Sequence, residues 1–347
     1  MVLWVILLSG QESLARQALA TTHKSAPGAT AGGSVAGGSS FTLLRPVDNG
    51  LVKSQPGRAG NVLAGNSAAE QLSRRISARS AVVVDARTGR LVYALNPDEP
   101  RQPASTIKIL TGLLAINSLR DSELVPTSRR AAGMPRSKIY LQQGRSYRAD
   151  DLINAALLSS ANDATVALAE KIAGSERAFA RLMTGKARAM GASNTVLVNS
   201  NGLTASGQQS TARDLALILH QAMQHPEFAR RIGTASAKTS FGRTLSSNNR
   251  ALWQIDGSEG GKTGYTNAAR QTYVGKFKRG DDEVIIALMG SNSMWDDVGH
   301  LVEFGFKQLS NSALMASARV DPAFTRRAPG SGSSALTVLS DAAKSSL

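Results

Sequence analysis

Apolar positions along this 347-residue chain change their period twice. Residues 80 to 96, SAVVVDARTGRLVYALN, hold two short runs of β-branched and aromatic residues around Arg87-Thr88-Gly89, which predicts a strand hairpin. From residue 105 the spacing becomes helical. STIKILTGLLAINSL (105 to 119) and ADDLINAALLSSANDATVALAEKIAG (149 to 174) have helical length and spacing, with Asp150 and Asp151 near the start of one helix and Gly174 at the end of another. TARDLALILHQAMQ (211 to 224) extends the helical series, with Ser210 or Thr211 placed to cap it. QTYVGKF and EVIIALMG then return to strand character on either side of a Lys278-Arg279-Gly280-Asp281 turn, and an amphipathic helix follows near Asp297 to Gln308. Strand, helices, strands and helix in that order predict an α/β (α+β) domain. Its antiparallel sheet is built from both ends of the domain, with flanking helices and an inserted helical cluster.

The flanks differ from this core. Met1 is followed by VLWVILL, an apolar run that fits part of a secretory signal but lacks a basic segment before it and a clear cleavage site. Thr21 to Asn66 is dominated by Ala, Gly, Ser and Pro, which predicts a flexible tether. A second such stretch, RRAPGSGSS, precedes a weakly amphipathic end. The expected organisation is a signal-like segment and tether at 1–66, one folded domain at 67–312 and a low-complexity tail at 313–347. No apolar run reaches the roughly 18 to 20 residues of a spanning helix, so membrane contact is expected at most through the N-terminus.

Composition narrows the chemistry. The chain has no cysteine, which excludes disulfides, thiolate metal sites and cysteine catalysis. Its formal charge of +15 suits a polyanionic neighbour, but the Lys and Arg residues are scattered, without interleaved aromatics or a nucleic-acid module, so no nucleic-acid partner is expected. His23, His220, His225 and His300 are the only histidines, none in a metal-binding pattern, and no Gly-x-Ser-x-Gly elbow exists. No metal or cofactor is expected.

PASTIKILTGLLA (103 to 115) leaves two readings open. In a helix, Ser105 and Lys108 share one face, so a hydroxyl and an ammonium can meet there. Ser105 is then either a helix cap beside a snorkelling lysine or a nucleophile beside its base. The second reading requires a neutral lysine, produced by burial or by a neighbouring cation. The apolar run Ile109 to Ile116 offers the burial. Ser160-Ala161-Asn162 between helical stretches and Lys262-Thr263-Gly264 at the opening of a strand-like segment complete a three-part signature in the right order.

With that trio, and with VVVDARTGRLVYALNPDEPRQPASTIK, LLSSANDATVALAEKIAGS, NGLTASGQQSTARDLA and GGKTGYTNAAR, the chain resembles the serine D-alanyl-D-alanine carboxypeptidases, the low-molecular-weight penicillin-binding proteins, from about Ser80 to Phe306. The resemblance implies a fold like that of serine β-lactamases and transpeptidases, a location in the periplasm or cell envelope, action on peptidoglycan stem peptides, and covalent inhibition by β-lactam antibiotics. It implies Ser105 as nucleophile, Lys108 as proton acceptor and Ser160 as proton relay toward the leaving amine, aided by the charge of Lys262. Asn162 is expected to hold the substrate amide, Thr263 to bind the terminal carboxylate, and the N–H groups of Ser105 and Tyr265 to form the oxyanion hole. Lys262 also brings a second cation near Lys108, and Gly264 lets a peptide backbone approach the strand closely.

The chain departs from the family at two points. Arg270 follows KTGYTNAA where a glycine is usual, and MGSNSMWDDVGH carries Asp296 and Asp297 where an arginine used in carboxylate recognition is expected. The family's separate C-terminal β-rich domain and amphipathic anchor are not recognisable. A D,D-endopeptidase and a wall-binding module without turnover are the alternatives. A β-lactamase fits poorly, since neither Glu170 nor Glu176 stands in the sequence context of a deacylating glutamate.

Overall fold

The computed structural model describes residues 66 to 318. The expected signal-like segment and tether lie outside the described residues up to residue 65, as does the tail after Ala318. In chain order the elements are α1 (Asn66–Arg75), β1 (Ser80–Asp85), β2 (Leu91–Leu95), a 3-10 turn (Ala104–Ile107), α2 (Lys108–Ser118), β3 (Leu124–Pro126), α3 (Arg129–Ala132), β4 (Ser146–Arg148), α4 (Ala149–Leu157) and α5 (Asn162–Ala173). They continue with α6 (Glu176–Ala189), α7 (Ala212–Met223), α8 (Pro226–Ile232), β5 (Ser236–Lys238), β6 (Thr244–Ser246), α9 (Ala251–Gln254), β7 (Ser258–Thr266), β8 (Arg270–Arg279), β9 (Asp282–Ser291) and α10 (Met294–Ala318).

One five-stranded antiparallel sheet runs β2-β1-β9-β8-β7, so its two halves come from the two ends of the domain. β1 is registered on β9 with Ala81 opposite Leu288 and Val83 opposite Ile286. The central strand explains why EVIIALMG shows no polar alternation: both of its faces are buried. Val82, Val84, Ile285, Ala287 and Met289 join the core beneath the helical cluster, with Ile109 and Leu110 of α2 and Leu215 of α7. Ala81, Val83, Val284, Ile286 and Leu288, one residue out of phase, join a second core with Leu72 of α1 and Val298, Leu301 and Val302 of α10. The period of two along the strands thus separates two apolar layers.

The helical cluster is the insertion between β2 and β7. Residues 149 to 174, one helical stretch in the sequence, divide into α4 and α5 at Ser159–Ala161, where Ser160 has φ +57°. Thr211 caps α7 by accepting from the Asp214 N–H. Three expectations shift. The 105 to 119 segment begins as a 3-10 turn rather than as α-helix. Lys262-Thr263-Gly264 lies in the middle of β7 instead of opening it. α10 continues past 312 to Ala318.

Candidate active site

The 3-10 turn places Ser105 and Lys108. Side chains three residues apart nearly eclipse in a 3-10 turn, and the Lys108 Nζ to Ser105 Oγ distance is 2.7 Å. Lys108 is fully buried while Ser105 is half-buried. The Lys108 amine also donates to Asn162 Oδ1 at 2.9 Å and to the Asn201 carbonyl at 2.7 Å. An amine with two such acceptors spends both of its hydrogens when neutral and aims its lone pair at the third partner. That partner is the Ser105 hydroxyl, which can then donate. Burial, reinforced by the charge of Lys262 and opposed by that of Asp163, holds the Lys108 pKa well below the usual lysine range.

One wall is the turn from α4 to α5. The left-handed backbone at Ser160 reverses the chain there, and the Ser160 hydroxyl has no hydrogen-bond partner among the described residues. Asn162 is held within the protein's own hydrogen-bond network. Its Oδ1 accepts from Lys108, its Nδ2 donates to the carbonyls of Pro135 and Arg136 at 3.2 and 3.1 Å, and it is only 3% exposed. These bonds link Lys108 to the 135–137 segment.

The opposite wall is the edge strand β7. Lys262 is buried, its pKa pushed down to about 7 by that burial, and its Nζ donates to the Thr263 carbonyl at 3.1 Å. Thr263 is half-buried, and Tyr265 is exposed with its hydroxyl donating to Asn267. A β-carbon at Gly264 would come within 2.7 Å of the Ser105 nitrogen and 2.5 Å of Thr272 Oγ1. One backbone that needs this glycine is therefore the protein's own Ala104–Ser105 peptide. The contact also sets the Ser105 N–H beside residues 264 and 265.

The loop NGLTASGQQ, for which the sequence suggests no part, completes the site. Gly202 has φ +84°, and a β-carbon there would lie 1.9 Å from the Ala104 carbonyl oxygen, so only glycine lets the Asn201 carbonyl reach Lys108. Buried Glu176 fixes the loop by accepting from the Ser200 N–H and hydroxyl and from Asn201 Nδ2, and it pairs with Arg130. The Asn-Gly pair was the available signal. Its importance depends on contacts nearly a hundred residues away in the chain.

Arg270, where a glycine is usual, opens β8. The position has φ +58°, which accounts for a glycine preference, but the arginine side chain is exposed instead of crowding a packed backbone. Asp297, where the arginine was expected, is buried, accepts from Ser77 and Ser291, and ties α10 to the end of β9. Beside Thr263 a surface cleft of about 470 Å³ is lined by Arg250, Trp253 and Trp295, among others. The Arg250 guanidinium makes no ion pair or hydrogen bond among the described residues. Among the described residues, His225 caps α8 and His300 contacts Arg75.

A family model described as D-alanyl-D-alanine carboxypeptidase matches residues 65–293. The chain is 32% identical over 249 residues to the D-alanyl-D-alanine carboxypeptidase DacF of Bacillus subtilis, covering 68% of this chain but 64% of that protein's length. It is 35% identical over 240 residues to DacB2 of Mycobacterium tuberculosis, also a D-alanyl-D-alanine carboxypeptidase, covering 66% of this chain and 82% of that one. Among solved structures it is similar to penicillin-binding protein D2 of Listeria monocytogenes in its ampicillin-bound form. That likeness has a TM-score of 0.61 and 30% identity, and covers 67% of this chain and 98% of the other.

Proposed function

The chain belongs to the D-alanyl-D-alanine carboxypeptidase family, peptidase S11, and on that premise we propose that it is a serine-type D-Ala-D-Ala carboxypeptidase working through an acyl-enzyme on Ser105. The observation that carries this reading is the 2.7 Å contact between Ser105 Oγ and a buried Lys108 whose other two partners are both acceptors. Neutral Lys108 takes the Ser105 proton as Oγ attacks the carbonyl of the penultimate D-alanine. The tetrahedral oxyanion is held by the N–H groups of Ser105 and Tyr265. Protonated Lys108 gives that proton to Ser160, which passes its own to the leaving nitrogen, so the C–N bond breaks, D-alanine departs and Lys108 is neutral again. Water then gives a proton to Lys108 as it attacks the ester, the acyl–Oγ bond breaks, and Lys108 returns the proton to Oγ, which frees the shortened peptide and restores Ser105.

Lys262 and Thr263 face the substrate's terminal carboxylate. Arg250, with no partner of its own among the described residues, supplies the guanidinium that the sequence lacks at Asp297. Substrates are peptidoglycan stem peptides, β-lactams are covalent inhibitors, and the place of action is the periplasm or cell envelope. No helix among the described residues is long and apolar enough to cross a membrane. The cleft beside Thr263 has room for more than one alanine, which favours cross-linked stems as a second substrate class.

Intact-protein mass spectrometry after exposure to benzylpenicillin tests the nucleophile. The expected result is one long-lived adduct on the wild type and none on Ser105→Ala, and no adduct on the wild type would favour a wall-binding module. Digestion of monomeric and cross-linked muropeptides tests the substrate class: loss of dimers without D-alanine release from monomers would replace the carboxypeptidase by an endopeptidase.

A further inference from the structure

The segment between α3 and β4 carries a feature that the proposed chemistry does not use. Asp163, fully buried beside Asn162, accepts from the N–H groups of Ile139 and Leu141 at 3.1 and 3.0 Å. Ile139 and Leu141 are buried, so the residue between them is forced outward. Tyr140 has φ +59° and is 52% exposed. A left-handed tyrosine is strained, and such strain persists only where its surroundings impose it. Here the Asp163 clamp imposes it.

The ring is not bare. Lys138 Nζ lies 5.4 Å and the Arg243 guanidinium 5.5 Å from its centroid, distances typical of cation–π contact. Arg243 comes from the β5–β6 hairpin, so two separate segments bring cations to one aromatic ring. Neither has a carboxylate partner among the described residues. The same segment is continuous with the catalytic wall: the Ser137 carbonyl accepts from the Asn162 N–H at 2.7 Å. Three residues of chain reach at most about 11 Å, and an extended peptide advances about 3.4 Å per residue. Tyr140 therefore lies within about 11 Å of that wall, roughly the span of three residues of an extended peptide.

We propose that Lys138, Tyr140 and Arg243 form a subsite for a carboxylate in the acyl-side portion of the peptide, the ring packing on the aliphatic stem and the two cations receiving the charge. This rests on the proposed reading that the scissile bond lies over Ser105, with the acyl portion running past Asn162.

The test is calorimetric titration of the full chain carrying Ser105→Ala, which needs no turnover, with Ac-Glu-Lys-D-Ala-D-Ala and Ac-Gln-Lys-D-Ala-D-Ala. The glutamate peptide should bind about fivefold more tightly, and adding Lys138→Gln and Arg243→Gln should bring the ratio to within twofold. Tyr140→Gly guards against misfolding, because glycine accepts the left-handed backbone. It should melt no lower than its parent and still lose most of the preference. Arg145→Gln, an exposed cation bonded to Gln142 on the same segment, should leave the ratio unchanged. A preference that survives the double substitution, or falls equally with Arg145→Gln, would overturn the proposal. Absence of a penicillin adduct on the wild type would instead sink the functional reading and leave the titration readable.

Discussion

Lys108 loses its proton most readily while Lys262 keeps its own, because a cation across the cleft raises the cost of a second one. Removing the Lys262 charge should therefore raise the Lys108 pKa and move the acidic limb of the acylation profile to higher pH. The shift depends on the protonated fraction of Lys262, whose pKa is about 7, so it should be largest below neutrality. The rate of penicillin acylation of Lys262→Gln against pH, compared with the wild type, checks both the direction and the range. A limb that stays in place would mean that burial alone sets the Lys108 pKa. Arg270 gives a plainer expectation at the same scale. Its left-handed backbone costs a side-chain-bearing residue about 1 kcal/mol, and its exposed side chain has no ion pair among the described residues. Arg270→Gly should raise the melting midpoint by a few degrees, read by calorimetry.

The 3-10 turn is held from both sides by glycines on different elements. Gly202 approaches it from the loop before α7 and Gly264 from β7, while Thr272 of β8 donates to the Pro103 carbonyl at 3.0 Å just ahead of it. Gly202→Ala would force a β-carbon into the Ala104 carbonyl at a backbone angle that alanine disfavours. We expect a loss of roughly 2 to 4 kcal/mol in urea melts, together with slower penicillin acylation. Retention of both would show that the turn yields without moving Ser105. This grip was only half legible in the sequence. The Ser105–Lys108 spacing declared a shared face, but helical periodicity cannot distinguish a 3-10 turn from the first turn of an α-helix. Nothing local to Asn162 showed that its amide would be taken up by Lys108 and by the carbonyls of Pro135 and Arg136.

Across the whole domain, the strand-helix-strand order and the both-ends sheet were legible because apolar periodicity records which faces are covered. The loops that finish the site were not, since Glu176, Asn201 and Asp163 act through long-range hydrogen bonds that leave no local pattern. Arg231 is another such residue. It is 1% exposed and pairs with Asp121, Asp150 and Glu227, joining the start of α4 to α8. The guanidinium groups of Arg230 and Arg231 hold the Glu227 pKa down to about 2 despite its partial burial. A depressed carboxylate pKa adds stability above the unfolded value, near 4.5, which is lost as pH falls toward 2. Arg231→Met should cost roughly 1 to 3 kcal/mol near neutral pH, discounted because its partners are partly exposed. Its melting midpoint should also fall less than that of the wild type between pH 5 and pH 2.

On the proposed function, the double glycine grip also bears on how drug resistance would arise in this chain. A substitution that displaces Ser105 enough to slow β-lactam attack must disturb the Gly202 or Gly264 contact, and so threatens the carbonyl that orients Lys108 or the N–H beside Tyr265. Penicillin and the natural peptide would lose reactivity together. Escape that spares the proposed peptide reaction is thereby confined to positions that feel the size and charge of the bound molecule, such as Arg250, Trp253 and Trp295 at the cleft. An inhibitor that leaves those positions untouched would offer selection little to act on.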